Sequence, residues 1–153
     1  SCGGYSMKIG FKRGTNWYSA VNRTVLNSQW SHSVVAIQTE GVWRLYESAA
    51  LKGKHHKAGV RDYVLTPEIE AEYTWIDIGT SRDAEALTRY KEVCTYSYDY
   101  ISLLSFLPVL NVRDADRMYC HELVLWLIGG HSKWRTTPEI ILLYIITERL
   151  ICN

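Results

Sequence analysis

Cys120 stands in Arg117-Met118-Tyr119-Cys120-His121-Glu122-Leu123-Val124, where an apolar helical pattern begins. A thiol on the first turn of a helix meets unpaired backbone N–H groups and the positive end of the helix dipole. Both favour thiolate, the form that attacks carbonyl carbon. The same N–H groups can hold the oxyanion of an acyl-transfer transition state. Against this stands the ordinary fate of a cysteine, which is to be a small buried hydrophobe. A thiolate nucleophile needs a base. His32, in Trp30-Ser31-His32-Ser33-Val34-Val35-Ala36-Ile37, opens a hydrophobic strand from which an imidazole can reach a helix N-terminus. Glu47, in Leu45-Tyr46-Glu47-Ser48 on the following strand, can accept from the second ring nitrogen and fix its tautomer. Taken singly, His32 is equally a strand histidine bonded to a carbonyl, and Glu47 a solvated strand end.

The elements that must carry these residues are a sheet in the first half and helices in the second. Residues 8–12, 33–39, 42–47, 60–65 and 70–78 predict strands, being rich in β-branched and aromatic types. The second and third of these flank Glu40-Gly41 and predict a hairpin. Trp17, Ala20, Val21 and Val25 have helical spacing, which predicts a helix over 16–26. Ser81 is the expected N-cap of a helix reaching Val93, and Asp99 of one through Phe106 that ends at Pro108. A helix over 120–128 should stop at Gly129-Gly130, and Thr137-Pro138-Glu139 should open the last one. Strands first and helices afterwards predict a single α+β domain over 1–153, a small antiparallel sheet packed on helices.

Composition narrows the function classes. With 17 Lys+Arg against 16 Asp+Glu, the chain lacks the basic excess of a polyanion binder, and no nucleic-acid partner is expected. There are 11 Tyr and 6 Trp but only 2 Phe, so most aromatic surface carries a polar handle that wants a partner or water. The four cysteines Cys2, Cys94, Cys120 and Cys152 form no C-x-x-C pair, which excludes a zinc ribbon. Two disulfides are arithmetically possible, but a chain of this size needs no such staples. No phosphate-binding glycine loop precedes a lysine, and His55-His56 lack ligand spacing, so neither cofactor nor metal is expected. The basic loop 52–57 is either a solvated connection or a contact for an anionic substrate. No signal-peptide pattern is present, the longest apolar run (residues 140–146) is too short to span a bilayer, and a soluble chain is expected. Residues 1–6 suggest a non-native leader, with Met7 the natural start.

The order of these pieces resembles the circularly permuted papain-like cysteine hydrolases of the NlpC/P60 type, including the YiiX/YebB-like group of bacteria and their phages. The matching pieces are Ser31-His32-Ser33, Tyr46-Glu47-Ser48, Tyr98-Asp99-Tyr100, Cys120-His121-Glu122-Leu123-Val124 and Thr137-Pro138-Glu139. They extend from Ile9 to about Ile146. The resemblance implies a permuted papain-like fold in which Cys120 is the nucleophile, His32 the base and Glu47 its orienting partner. It also implies a cysteine peptidase or amidase acting on peptides, bacterial cell-wall peptides being the natural class. The setting would be bacterial cytoplasm, the cell wall or a phage particle. Relatives of this architecture include lipid acyltransferases and thioesterases, which an apolar groove bordered by Trp17, Trp30 and Trp43 would favour. A non-catalytic virion or interaction module is the remaining alternative. Two departures stand out: His121 replaces the usual serine, and Val34 replaces a frequent carboxylate. Ser31, Tyr119 and His121 are the candidate substrate contacts. Solvent exposure is the commoner fate for such a histidine, and core packing for such a tyrosine.

Overall fold

Why does one strand lie at the centre of the sheet? The run Ser33-Val34-Val35-Ala36-Ile37 is apolar or small on both faces, which suits a strand covered on both sides. That strand is β2 (His32–Thr39), and these five residues are buried. The computed structural model describes residues 7–15, 19–20, 23–24, 28–50, 57–79, 82–98, 118–131, 136–148 and 150–151. Besides β2 it contains β1 (Met7–Lys12), β3 (Val42–Ala49), β4 (Gly59–Val64) and β5 (Thr74–Ile78). Its helices are α1 (Pro67–Glu70), α2 (Asp83–Val93), α3 (Cys120–Leu127) and α4 (Pro138–Thr147). The strands form one antiparallel sheet in the order β4-β3-β2-β1-β5, and the domain is α+β.

The β2–β3 hairpin closes at Glu40-Gly41, both with positive φ (52° and 80°). Such a two-residue turn matches the twist of the strands it joins. It sets Thr39 opposite Val42 and Val35 opposite Tyr46. That register decides which side chains share a face. Met7, Ile9, Phe11, Val35, Ile37, Tyr46, Val60 and Ile78 face the helices and pack on Leu123, Val124, Leu127, Ile141 and Ile145. Burying each of the larger side chains contributes roughly 1.5–3 kcal/mol. On the opposite face Val34, Ala36, Leu45 and Leu65 form a smaller cluster covered by Trp43, Tyr63, Ile69, Tyr73 and Trp75.

Two expectations are corrected. The strand placed over 70–78 begins only at Thr74, because α1 occupies Pro67–Glu70. Pro67 at the first helical position and the Thr66 hydroxyl accepting from the Ile69 N–H start that turn, and the chain bends at Ala71–Tyr73 before pairing with β1. For α2, Arg82 is the residue before the helix and gives no side-chain cap, while Ser81 lies outside the described residues. So do residues 99–117, including the helix expected there, and the basic loop up to His56. Of the helix expected over 16–26, Ser19, Ala20, Arg23 and Thr24 are described, and all four are helical. Helix α3 ends at Gly129 (φ 100°), whose left-handed backbone lets the Gly130 N–H reach the Leu125 carbonyl. Among the described residues no helix is long and apolar enough to cross a membrane.

Candidate active site

Cys120 is the first residue of α3, preceded by Tyr119 in extended conformation at the N-cap. The approach to the helix is held from several sides. The Met118 N–H donates to the Ser97 carbonyl, the Ser48 hydroxyl donates to the Met118 carbonyl, and the Tyr119 hydroxyl donates to the Thr136 carbonyl at 2.6 Å. Glu122, at the third helical position, accepts from the Tyr119 N–H through Oε2 at 3.4 Å. This is one half of a capping box and fixes the first turn. The Cys120 N–H has no intrahelical acceptor, as for any first-turn residue, and faces the same direction as the positive end of the dipole.

His32 is the first residue of β2, and its Nε2 lies 2.6 Å from Glu47 Oε2. Glu47 is held in turn. Its Oε1 accepts from Arg61 Nε at 2.9 Å and from the Tyr63 hydroxyl at 2.8 Å. The β3–β4 register pairs Glu47 with Arg61 and Leu45 with Tyr63, so all three polar side chains emerge on the face that carries His32. Burial by itself would raise the Glu47 pKa, but His32 and then Arg61 pull it down to about 2. Burial would lower that of His32, but Cys120 first and Glu47 second raise it to about 10. Burial likewise opposes ionisation of Cys120, and His121 followed by His32 outweighs it, leaving the thiol well below its usual range. With Nε2 committed to Glu47, Nδ1 is the His32 nitrogen left for the thiol. A thiolate, an imidazolium and a clamped carboxylate can thus coexist near neutral pH.

A cavity of about 340 Å³ opens beside this set. His32, Glu47, Arg61, Tyr63, Tyr73 and Tyr98 contribute to its wall. The His32 side chain is 21% exposed and within reach of whatever fills the cavity. Cys120 is 1% exposed and packs with Ala50, Tyr98 and Tyr119. Ala50 and Tyr98 also line the cavity, whereas Cys120 is not among its lining residues.

The three candidate substrate contacts fare differently. Ser31 lines the cavity, but its hydroxyl is engaged, accepting from the Gly14 N–H at 2.8 Å and donating to the Lys12 carbonyl. Tyr119 and His121 are both completely buried and neither lines the cavity: the core packing expected for Tyr119 is found, whereas the solvent position expected for His121 is not. The reason is that the first turn of α3 is enclosed on every side, from Cys120 through Leu125. His121 Nδ1 is hydrogen-bonded to Ser33 Oγ at 2.7 Å. Nor do the tryptophans border one groove. Trp30 packs beside Phe11 in the helix-face core, whereas Trp43 lies over Lys8 on the other face, and Trp17 is outside the described residues. His131 is exposed, and Cys94 and Cys120 are free thiols.

Arg61, Tyr63 and Ser33 had drawn no functional expectation. The signal for the first two was present, since Arg61 and Tyr63 are two apart in a strand and must share a face. What sequence lacked was the register that sets Glu47 opposite Arg61 and diagonal to Tyr63. Among the described residues no group of three or more His, Cys, Asp or Glu side chains is placed to hold a metal ion. No protein-family model matches the chain, and no curated protein matches it.

Proposed function

We propose that the protein is a cysteine hydrolase that cleaves an amide bond through an acyl-thioester on Cys120, with peptides of the bacterial cell wall as its substrate class. The observation that carries this reading is the connected set at the start of α3. Cys120 interacts with His32, whose far nitrogen is 2.6 Å from a Glu47 that Arg61 and Tyr63 hold in place. A packing role explains none of these connections, since burying three ionised groups costs several kcal/mol each unless they pair. The cavity wall combines tyrosine hydroxyls and rings with Lys12, Arg61 and Glu72. Such a wall suits a polar, hydrogen-bonding chain better than an acyl tail. The order of the motifs, similar to that of the permuted papain-like hydrolases, supports the same reading.

In the reaction, the Cys120 thiolate attacks the scissile carbonyl, and the electron pair of the C=O bond moves to oxygen. The Cys120 N–H, at the positive end of α3, faces the developing oxyanion. Collapse of the tetrahedral intermediate expels the amine, which takes its proton from His32 Nδ1. The now neutral imidazole then takes a proton from water, and the hydroxide formed attacks the thioester. Release of the carboxylic acid restores the thiolate and imidazolium. Throughout, Glu47 keeps the ring oriented and its charge balanced.

The test is digestion of purified peptidoglycan, with released peptides measured by mass spectrometry. The native chain should generate new termini and Cys120→Ala none. Release of fatty acid from acyl-ester or thioester substrates with intact peptidoglycan would favour an acyltransferase or thioesterase instead. No Cys120-dependent product from either would leave a binding module.

A further inference from the structure

Tyr73, on the cavity wall beside His32, is held by its ring and backbone and not by its hydroxyl. The β1–β5 pairing ends with Phe11 opposite Thr74, which leaves Tyr73 level with Lys12, and Lys12 in turn pairs with His32. Residues opposed in this way emerge on one face, so Tyr73, Lys12 and His32 form a row across the end of the sheet. The Tyr73 ring lies 5.4 Å from that of Trp75 and 6.4 Å from that of His32, centroid to centroid, and the Lys12 ammonium sits 5.5 Å over it. Its backbone N–H donates to the Glu70 carbonyl at 3.3 Å where the chain leaves α1. The hydroxyl, by contrast, makes no hydrogen bond to a described residue, yet it is not sealed in the interior. Burial, followed by the charge of Glu47, raises its pKa well above the ordinary tyrosine range, so it keeps its proton and serves as a donor. On the same wall Arg61 and Tyr63 are taken up by Glu47, Lys12 by Glu72, and Ser31 by the backbone of Gly14 and Lys12.

Which half of the substrate meets this donor follows from the base. His32 gives its proton to the departing amine, so the amine half of the substrate lies at His32. His32 lines the cavity, and Cys120 does not. At about 340 Å³ the cavity is within the size range of ligand pockets and far larger than ammonia needs. We propose that the cavity is the subsite for the amine half of the substrate, and that the Tyr73 hydroxyl selects this half by donating to one of its carbonyl oxygens. This rests on the reading of Cys120 and His32 as a hydrolase pair, and it narrows the substrate class to amides whose leaving amine continues as a peptide. A donor fixed in advance through its ring loses little freedom when it binds, which favours its use for recognition.

The test compares two synthetic peptides, designed once mass spectrometry of a peptidoglycan digest has located the cut bond. One spans that bond with the amine half complete. The other carries the same acyl half but ends there in a primary amide, so that only ammonia leaves. The native chain should prefer the spanning peptide in kcat/KM. Tyr73→Phe, which keeps the ring and removes the hydroxyl, should reduce that preference about three- to tenfold, the range for one hydrogen bond. Tyr63→Phe, which acts through Glu47 and His32, should slow both peptides and keep the native preference. An unchanged preference in Tyr73→Phe overturns the proposal, as does a native chain that cleaves the two peptides alike. Failure of the hydrolase reading looks different: peptidoglycan would then show no Cys120-dependent cut, and the subsite would fall with it.

Discussion

Strands β3 and β4 carry two arginine–carboxylate pairs, one on each face, each joined by a tyrosine (Tyr90 of α2 on one, Tyr63 of β4 on the other), and only the second touches His32. On the helix face Asp62 accepts from Arg44 Nε at 3.1 Å and from the Tyr90 hydroxyl at 2.8 Å. On the other face Glu47 accepts from Arg61 and Tyr63, and from His32 as well. The groups are alike, but the surroundings are not. The Asp62 side chain is 31% exposed and Glu47 4%. Water screens the first pair, which makes it an ordinary fastening between strands and α2. The second is dry enough that its charge reaches His32 and, through it, Cys120. Strand alternation places the two arginine–carboxylate pairs on opposite faces, and burial separates an exposed fastening from the pair that holds His32.

The strongest challenge to this contrast is at the reactive end. Cys120→Ala should abolish peptidoglycan cleavage, and His32→Ala should reduce it by about 10²–10⁴-fold, as expected for loss of a general acid–base. Comparable losses on Asp62→Ala, by the same assay, would erase the distinction between the clusters.

Next comes stability. Glu47→Ala leaves His32 and Arg61 without their buried counter-charge and should cost about 3–5 kcal/mol in denaturant unfolding. Asp62→Ala should cost about 1 kcal/mol or less. Equal costs would mean that burial does not distinguish them.

The pH dependence gives a finer test. Glu47 is held at about 2 against an ordinary 4.5, so its stabilisation is complete above 4.5 and is lost as pH falls through about 2. Glu47→Gln should remove that part of the acid limb. His32 is raised from 6.5 to about 10, so its contribution is complete below 6.5 and is lost as pH rises through about 10. Cys120 runs the other way, its contribution growing as pH rises towards the ordinary thiol value of 9.0. Between about 6.5 and 9.0 the two changes offset, and the native chain should hold level stability. Cys120→Ala removes the first of the two groups that hold the His32 proton, so the variant's high-pH limb should begin at lower pH than in the native chain. Chemical denaturation at a series of pH values reads both limbs, and an unchanged high-pH limb in the variant would remove the thiolate–imidazolium pair.

The smallest effect expected is at the tyrosines. Tyr63→Phe and Tyr90→Phe should each cost about 1 kcal/mol for one hydrogen bond. Only Tyr63→Phe should alter Cys120 alkylation, because only it touches the carboxylate that orients His32.

Much of the sheet could be read from the chain because strand signals are local. The runs around Glu40-Gly41 carry their turn and their β-branched residues within a few positions. Residues 66–73 were harder. Isoleucine and tyrosine there fit a strand, yet the Thr66-Pro67 start wins because capping and fixed φ act over a shorter range than pairing with β1. The candidate site divides in the same manner. Cys120 was marked by its place at the start of an apolar helix, and His32 by its place at the start of a strand. Arg61, Tyr63 and Ser33 carry no such local mark, since each matters through a partner distant in sequence.

The amino-acid sequence by itself determined the α+β class, the helix that begins at Cys120, and the residue types for acyl-transfer chemistry, because periodicity and capping are properties of adjacent residues. Only the tertiary structure decided that Glu47 is clamped by Arg61 and Tyr63, and that His121 is buried against Ser33 instead of facing water. Register and burial belong to pairs of segments, and electrostatic strength follows from how much water the pairing leaves behind.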